Sequence, residues 1–284
     1  MTYENLTFEV RDRVGHITLN RPDKMNALSL ALRDELCVVL KEAERNRDVG
    51  CLIIEGAGRS FSAGYDLSPE TPSPNFPVDG YVSPEVDGLT GQYAHSLVDY
   101  LWTIWDLTKP VIAQVHGFCL AGGSELASMC DFIFAADDAT FGYPPVRSIS
   151  CPDTLYFPWK MQMSWAKYLV LSGRSVSGRE AVDIGWVTKC FAPDELAEAT
   201  HAEAAAIATI KPDQLAASKR NINRSYEIMG IRTAMNVGAD WQGLSMLRES
   251  NGEFMDTAYE KGLKAALIER DGPFGDYSAA PKSK

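Results

Sequence analysis

Residues 117–126 of this chain read Gly117-Phe118-Cys119-Leu120-Ala121-Gly122-Gly123-Ser124-Glu125-Leu126. An apolar strand runs here into paired glycines, and a carboxylate and a second apolar run follow at once. Such a junction directs unpaired backbone N–H groups and the positive end of a helix dipole at one point, where they stabilise a developing negative charge. The stretch predicts an oxyanion site at a strand-to-helix turn, with Glu125 beside it as an acid or base.

Short apolar runs in the flanking sequence predict buried strands with helical patterns between them. These runs lie at residues 51–54, 111–115 and 132–135, and a predicted hairpin at 8–19 precedes them. Alternation of strand and helix favours an α/β fold with right-handed crossovers. Beyond about residue 195 the pattern is almost entirely helical. Helical spacing is found at 195–210, 212–229, 231–247 and 253–269.

An amphipathic helix is predicted near the N-terminus of the chain. Apolar residues from Leu32 to Ala43 recur at spacings of three and four. Ser29 is a candidate N-cap for this helix, and the same periodicity places Arg33 and Asp34 on its outward face.

Composition and charge restrict the classes of partner. The chain of 284 residues has a net charge of −11, with 45% hydrophobic and 23% charged residues, which is typical of a globular protein. An acidic chain gains little from counterion release, which argues against nucleic acid and anionic membrane surfaces as partners. The six cysteines show no C-x-x-C pair and no His spaced for zinc, so no metal site is expected. Because the first residues lack a basic region followed by an apolar core, we expect a cytoplasmic protein with reduced thiols.

Residues 69–92 interrupt the strand and helix alternation. The segment carries five prolines, three glycines and four acidic residues, without Lys or Arg. It predicts a long loop, and two roles stay open for it: a lid over a site, or a poorly ordered surface segment.

Five short segments carry motifs in a fixed order along nearly the whole chain. They are Asn20-Arg21-Pro22-Asp23-Lys24-Met25-Asn26-Ala27-Leu28, Phe61-Ser62-Ala63-Gly64-Tyr65-Asp66-Leu67, Lys109-Pro110-Val111-Ile112-Ala113 leading into the glycine turn, Phe141-Gly142-Tyr143-Pro144, and Leu171-Ser172-Gly173 with Ala181, Gly185 and Val187. In this order they resemble the motifs of the enoyl-CoA hydratase/isomerase family, the crotonase superfamily. Each segment alone is a weak signal, whereas the ordered set is specific.

The resemblance implies a crotonase-like α/β fold. A spiral of repeated ββα turns that binds acyl-CoA is expected at residues 1–200, followed by a helical trimerisation region at 201–284. Family members assemble as trimers or dimers of trimers, so a homotrimer or hexamer is expected. Their substrates are acyl-CoA thioesters, and coenzyme A enters as part of the substrate rather than as a permanently bound cofactor.

The resemblance also implies how the thioester enolate is held. By position, the backbone N–H groups of Tyr65 and Gly122 match the family's two oxyanion donors. Small residues around them, Gly64 among these, let a thioester approach and permit unusual backbone angles. Turn formation alone is the alternative role for these glycines.

Glu125 matches the family's first catalytic glutamate, which transfers protons at the acyl α- or β-carbon. A glutamate in the first turn of a helix also stabilises the helix dipole or closes a capping box, so a structural role is the alternative. A carboxylate beside an apolar acyl pocket has its pKa raised by desolvation, toward the range that suits general acid–base catalysis.

One position departs from the family pattern. Where hydratases carry a second glutamate directly after F-G-x-P, this chain has Pro145, which cannot transfer a proton. Asp153, eight residues further on, matches the position at which dienoyl-CoA isomerases and aryl-CoA dehalogenases place a working aspartate. Its alternative role is that of a turn residue or helix N-cap after proline. If Glu125 and Asp153 both face the substrate, they can divide the acid and base roles.

Several residues within the family motifs are candidates for binding the CoA moiety. The CoA-binding candidates are Lys24, Ala27, Ala63, Asp66 and Leu67, with Arg21, Arg59, Lys261, Lys264 and Arg270 as possible cations near the nucleotide. For each charged side chain, a solvated surface charge is the alternative.

The remaining candidates have stronger structural alternatives. His95 lies in a predicted helix at 92–107, either as an extra base or as a structural partner, and His116 fits a strand position. Cys119 lies beside the oxyanion turn, but no His marks it as an activated nucleophile. An aromatic cluster around the lost glutamate either shapes a bulky acyl pocket or fills the core. Its predicted members are Tyr143, Tyr156, Phe157 and Trp159.

These features predict an enzyme of the enoyl-CoA hydratase type that forms a thioester enolate. Two alternatives within the same fold are an enoyl- or dienoyl-CoA isomerase and an acyl-CoA C–C hydrolase, because Pro145 removes one carboxylate of the hydration mechanism. An alternative of another class is a non-catalytic acyl-CoA-binding or assembly subunit. Glu125 favours the enzyme.

Overall fold

The computed structural model describes residues 3–67, 92–245 and 249–277, so the predicted loop at 69–92 lies outside the described residues except for Gln92. Within these ranges the strands are β1 (Leu6–Arg11), β2 (Val14–Leu19), β3 (Cys51–Gly56), β4 (Ser60–Ser62), β5 (Val111–Val115), β6 (Phe118–Leu120), β7 (Phe132–Ala136), β8 (Thr140–Gly142), β9 (Val176–Ser177) and β10 (Lys189–Phe191). The helices are α1 (Leu30–Arg45), α2 (Gln92–Asp106), α3 (Gly122–Met129), α4 (Phe157–Lys160), α5 (Met163–Ser172), α6 (Gly178–Asp183), α7 (Leu196–Ala208), α8 (Pro212–Ile228), α9 (Ile231–Ser245), α10 (Glu249–Lys261) and α11 (Leu263–Asp271).

Two sheets form the centre of the fold. The larger has the order β1-β2-β3-β5-β7-β10, in which β1 and β2 are the predicted antiparallel hairpin and the other pairings are parallel. The smaller has the order β4-β6-β8-β9, with β9 antiparallel to β8. Three successive strand pairs, β3–β4, β5–β6 and β7–β8, each contribute one strand to each sheet. This repetition brings the ends of β4, β6 and β8 side by side.

Helix α1 forms where its periodicity predicts it. The Ser29 hydroxyl accepts a hydrogen bond from the N–H of Leu32 at 3.3 Å, which confirms the N-cap. The expectation that Arg33 faces outward is wrong, because its side chain is buried between aromatic rings supplied by other parts of the chain.

Helices make up the described chain beyond residue 195, as predicted. Helix α7 packs on the larger sheet, and α9 packs against α2. The predicted single helix at 253–269 is wrong: Gly262, with φ of +87°, separates α10 from α11. Glycine adopts this left-handed conformation without steric cost and is a weak helix former, so the break falls there. Among the described residues, no helix combines the length and apolar character needed to cross a membrane.

The quoted stretch 117–126 forms a tight strand-to-helix junction. Strand β6 ends at Leu120, Ala121 makes the turn, and α3 begins at Gly122. Ala121 has φ of +49° and ψ of −125°, a conformation that costs a residue with a Cβ roughly 1–3 kcal/mol. The turn is anchored to the neighbouring strand by a hydrogen bond from the Ala121 N–H to the carbonyl of Gly142 at 3.0 Å.

Candidate active site

The first turn of α3 presents backbone donors. The N–H groups of Ser124 and Glu125 donate to the carbonyl of Ala121, at 2.9 and 3.1 Å. No backbone carbonyl of the described residues accepts a hydrogen bond from the N–H of Gly122. As the first residue of the helix, Gly122 has a donor that the helix itself leaves open.

The segment around Gly64 lies directly against this turn. The Gly64 carbonyl accepts a hydrogen bond from the N–H of Leu28 at 2.8 Å, which joins two of the family motifs. Gly64 has φ of +101°, and a Cβ there would lie 2.8 Å from the Cβ of Ala121 and 3.2 Å from the amide nitrogen of Gly122. Only glycine therefore fits this contact between the two segments.

Tyr65 contacts the turn through its side chain as well. A Cβ on Gly122 would lie 2.7 Å from Cε2 of Tyr65, so the phenol ring covers the Cα of Gly122. Within the described ranges the Tyr65 N–H, like that of Gly122, donates to no backbone carbonyl. We call these two N–H groups the donor pair.

Glu125 is fully buried in the first turn of α3. Its Oε2 accepts a hydrogen bond from the Tyr65 hydroxyl at 2.9 Å, and its Oε1 accepts one from the N–H of Thr154 at 3.3 Å. Burial raises the pKa of Glu125 to about 7, and these hydrogen bonds act in the opposite direction. A carboxyl group that titrates near neutrality suits proton transfer in either direction.

Asp153 is buried next to Glu125. Its Oδ2 accepts a hydrogen bond from the Tyr143 hydroxyl at 3.3 Å, whereas its Oδ1 is buried with no hydrogen-bond partner among the described residues. Burial, together with the nearby charge of Glu125, raises the pKa of Asp153 well above its usual range. Because the charge of Glu125 acts directly on Asp153, we treat the two groups together and call them the carboxyl pair.

Pro145 lies outside this pair. It belongs to a short 3-10 helix at Pro144–Arg147, and its carbonyl accepts hydrogen bonds from the N–H groups of residues 148–150 at 2.8 to 3.1 Å. This compact turn leads the chain toward Asp153, which brings a carboxyl group from a later position to the side of Glu125.

The predicted aromatic cluster forms with one change of membership. Tyr156 stacks on Phe157 at 4.2 Å between ring centroids, and Tyr143 meets the edge of Phe157 at 6.1 Å. Trp186, which the sequence did not single out, joins this cluster. Trp159 does not, because its ring packs on Tyr226 of α8 instead. The cluster is buried, and its member Tyr143 contacts the carboxyl pair through the hydrogen bond to Asp153.

Two further polar side chains that sequence reasoning missed lie close to the pair. The Arg33 guanidinium lies over the rings of Tyr65 and Tyr100, 5.6 Å from each centroid. The Nε of Arg33 and the hydroxyl of Tyr100 are buried without hydrogen-bond partners among the described residues. The sequence carries no signal for either residue, because the periodicity of α1 gives Arg33 the position of a solvated side chain.

The CoA-binding candidates lie together beside the donor pair. Arg21 pairs with Asp66 at 2.8 Å and donates to the Ala27 carbonyl at 2.5 Å, and the Ala63 N–H donates to the carbonyl of Met25 at 3.0 Å. Arg21 thus connects the first two family motifs, because it bonds to a residue of each. Three other candidates of this group differ in exposure: Lys24 and Arg59 are exposed, and Leu67 is half-buried.

Three candidates near the turn have structural partners. His95 bonds to Asp240 at 2.8 Å and ties α2 to α9. His116 follows β5, and its Nε2 lies 2.9 Å from the Gly58 carbonyl. Burial raises the pKa of Cys119 well above its usual range, so its thiol is protonated.

The predicted cations of the C-terminal helices are largely engaged within the chain. Arg270 makes two hydrogen bonds to Asp271, both 2.9 Å long, and its side chain is buried. Lys261 lies 3.6 Å from Glu269 on the surface. Lys264 is exposed. Arg270 therefore offers no free guanidinium to a nucleotide.

Comparison with known proteins bears on this geometry. A family model described as Enoyl-CoA hydratase/isomerase matches residues 9–261. The chain belongs to the enoyl-CoA hydratase/isomerase family. A Rhizobium meliloti protein named "Probable enoyl-CoA hydratase" is 36% identical over 231 residues, which cover 80% of this chain and 84% of the relative. The "Short-chain-enoyl-CoA hydratase" of Clostridium acetobutylicum is 32% identical over 274 residues, 95% and 97% of the two chains.

Solved structures agree with this assignment. The crystal structure of an enoyl-CoA hydratase from Mycobacterium smegmatis matches with a TM-score of 0.89 at 30% identity, over 99% of this chain and 98% of that chain. The predicted crotonase-like α/β fold and the predicted enzyme class, hydro-lyase or isomerase, are thereby confirmed.

Proposed function

We propose that this family member hydrates 2-enoyl-CoA thioesters and holds the enolate oxygen with the donor pair, the N–H groups of Tyr65 and Gly122. The observation that carries the proposal is a buried carboxyl pair placed beside two backbone donors that, among the residues described, have no backbone acceptor. The close contact of Gly64 with Ala121 and the strained turn at Ala121 fit a backbone shaped for a ligand, since strain of this kind concentrates at functional sites.

In this proposal the carboxyl pair divides the acid and base roles. Glu125 accepts two hydrogen bonds, which favour its ionised form, whereas Asp153 accepts one, and its Oδ1 has no partner in the described ranges. With one proton shared between the two groups, Glu125 is the carboxylate and Asp153 the acid. Glu125 takes a proton from water, the water oxygen adds to the β-carbon, and Asp153 gives its proton to the α-carbon as the enolate collapses. Asp153 then performs the task that Pro145 cannot.

The test follows the loss of enoyl absorbance with crotonyl-CoA and longer 2-enoyl-CoAs. We expect Glu125→Gln and Asp153→Asn each to lower kcat by about 10² or more, within the range of positioned acid–base catalysis. Asp240 is an exposed carboxylate that pairs with His95, so Asp240→Asn serves as the matched control and keeps full activity. Robust hydration by Glu125→Gln would contradict the role of Glu125, and full activity of Asp153→Asn would return Asp153 to a structural role.

A second candidate is an enoyl-CoA isomerase, which Pro145 favours because an isomerase moves one proton between two carbons and needs no water base. Conversion of 3-enoyl-CoA to 2-enoyl-CoA without accumulation of the hydroxyacyl product identifies this activity. Tight acyl-CoA binding with no turnover of either substrate identifies a non-catalytic binder instead.

We also propose that the segment containing Lys24, Ala27, Ala63, Asp66 and Leu67 binds the CoA moiety. The Arg21–Asp66 ion pair supports this proposal, since it holds both motifs of the segment together next to the donor pair. Arg21→Met is expected to raise KM for crotonyl-CoA more than it lowers kcat, because it loosens the CoA side of the site and leaves the carboxyl pair in place.

A homotrimer or hexamer built on residues 201–284 is our proposal for the assembly, with residues 1–200 as the acyl-CoA-binding core. Large apolar side chains on α9 support it, because they are exposed in the single chain. They are Val237, Trp241 and Leu244. Sedimentation equilibrium of the protein and of Trp241→Glu tests this assembly. The cytoplasmic location stays a prediction.

A further inference from the structure

Two buried hydrogen-bond donors near the carboxyl pair have no acceptor of good hydrogen-bond geometry among the described residues, although the Tyr65 hydroxyl lies close enough to that of Tyr100 to lower its pKa. They are the Nε–H of Arg33 and the hydroxyl of Tyr100, and each side chain is more than nine-tenths buried. We call Arg33 and Tyr100 the distal pair. Burial raises the pKa of Tyr100 far above its usual value, so its phenol is a neutral O–H donor. Buried donors are ordinarily satisfied, so a pair left open on one side of a site indicates a missing acceptor.

The guanidinium of Arg33 makes no ion pair among the described residues, although its charge lowers the pKa of the nearby Asp153. Within the described part of the chain Arg33 makes cation–π contacts with Tyr65 and Tyr100 and no ion pair with a carboxylate. Aromatic faces attract a cation, yet they accept no hydrogen bond in the plane of the guanidinium. The in-plane N–H groups of Arg33 are therefore suited to an oxygen acceptor, which guanidinium binds with directional hydrogen bonds.

Tyr65 fixes where this acceptor lies relative to the reaction. The ring of Tyr65 covers Gly122, and its hydroxyl donates to Glu125. The guanidinium of Arg33 lies over the same ring. The distal pair thus contacts the same side chain that borders Gly122 and Glu125. A ligand whose thioester oxygen binds the donor pair would therefore meet Arg33 and Tyr100 only with atoms farther along its acyl chain.

We propose that the acyl group bound by this protein carries an oxygen acceptor, a carboxylate or a carbonyl, remote from the thioester, and that Arg33 and Tyr100 bind it. This inference rests on the proposed function, because it takes the donor pair and the carboxyl pair to mark the thioester end of the site. A plain hydrocarbon chain leaves both buried donors unsatisfied, whereas an acyl chain with a distal oxygen satisfies them. Selectivity against the analogue that lacks the polar group is large at sites of this kind.

The experiment compares three saturated acyl-CoAs of equal chain length by calorimetry. Valeryl-CoA ends in a methyl group, 4-oxopentanoyl-CoA carries a carbonyl, and glutaryl-CoA carries a carboxylate. We expect at least one oxygenated ligand to bind about 10- to 100-fold more tightly than valeryl-CoA. A preference for glutaryl-CoA identifies the acceptor as a carboxylate, and equal binding of the two oxygenated ligands identifies a neutral carbonyl as sufficient.

Variants assign the preference to the distal pair. Arg33→Met is expected to bring the three dissociation constants together, and Tyr100→Phe, which keeps the ring and removes only the hydroxyl, is expected to lower the preference severalfold. Arg45→Met, at an exposed position in the last turn of the same helix, is expected to keep it. Equal binding of all three ligands by the unaltered protein overturns the proposal and indicates that water fills the site. A preference that survives in both Arg33→Met and Tyr100→Phe overturns it as well.

Saturated ligands allow the proposal about the acyl group to be tested separately from the proposed hydratase function. They bind without being hydrated, so the preference is measurable even in a protein that turns over no enoyl-CoA. Conversely, hydration of crotonyl-CoA together with equal binding of the three probes leaves the proposed function standing and removes the inference about the acyl group.

Discussion

Tyr65→Phe removes the hydroxyl that donates to Glu125 and leaves the backbone N–H of residue 65 in place. The hydrogen bond from this hydroxyl to Oε2 is 2.9 Å long and stabilises the ionised carboxylate in a buried site. Burial raises the pKa of Glu125 to about 7, against the effect of this bond. Its removal must therefore raise the pKa of Glu125 further.

The magnitude follows from the strength of a hydrogen bond to a charged group. Such a bond contributes about 2 kcal/mol, and one pKa unit corresponds to 1.36 kcal/mol. The pKa of Glu125 should rise by roughly 1 to 2, toward the lower value if water enters the space left by the hydroxyl. Because Glu125 acts as a base in the proposed mechanism, activity at pH 7 should fall about fivefold at the smaller shift.

The pH profile of kcat/KM for crotonyl-CoA hydration measures this effect. Its acid limb reports the first deprotonation of the carboxyl pair, so the midpoint should move to higher pH while the plateau stays near that of the unaltered protein. An unchanged midpoint would show that the bond from Tyr65 does not control Glu125. A plateau lowered by about 10² would instead indicate that the donor pair was disturbed.

Three further changes have outcomes that can be stated in advance. Folding raises the pKa of Glu125 from 4.5 to about 7, so the folded protein loses stability as the pH rises between these values. Glu125→Gln removes this titration. In a urea titration, the variant should therefore lose less unfolding free energy between pH 5 and pH 8 than the unaltered protein, by on the order of 3 kcal/mol. Gly64→Ala should lower kcat/KM by about 10² to 10³, whereas Gly230→Ala, which has the same φ of +101° and no atom near its Cβ, should be destabilised without this loss. Arg147→Met should cost about 3–5 kcal/mol in thermal unfolding because it leaves buried acidic partners, and the exposed control Arg179→Met should cost less than about 1 kcal/mol.

Much of the fold follows from local pattern. The N-cap at Ser29 and the apolar spacing of α1 are short-range features, and both are present in the structure. The strand-to-helix junction at 117–126 is similarly local, since it depends on glycines next to an apolar run. Elements of this kind are predictable because the groups that stabilise them lie within a few positions of one another. The break at Gly262 was missed, although glycine is a known signal for it, because apolar spacing continues on both sides.

The partners of buried polar groups required the tertiary structure. Arg33 has the spacing of a solvated residue on α1, and its burial depends on rings from residues 65 and 100, which reach it only in the folded chain. Trp159 is close in sequence to the aromatic cluster but does not join it, because its ring packs against Tyr226. Periodicity along one element carries no information about which other elements cover it.

The family, the strand-to-helix turn and the place of Glu125 in its first helical turn all follow from the order of residues along the chain. The folded structure was needed to show that Asp153 lies beside Glu125 and that the phenol of Tyr65 donates to that carboxylate. It was also needed to show that Arg33 and Tyr100 are buried without a well-placed acceptor among the described residues. The physical reason is that pKa values and hydrogen-bond satisfaction depend on burial and on distances between groups far apart in sequence.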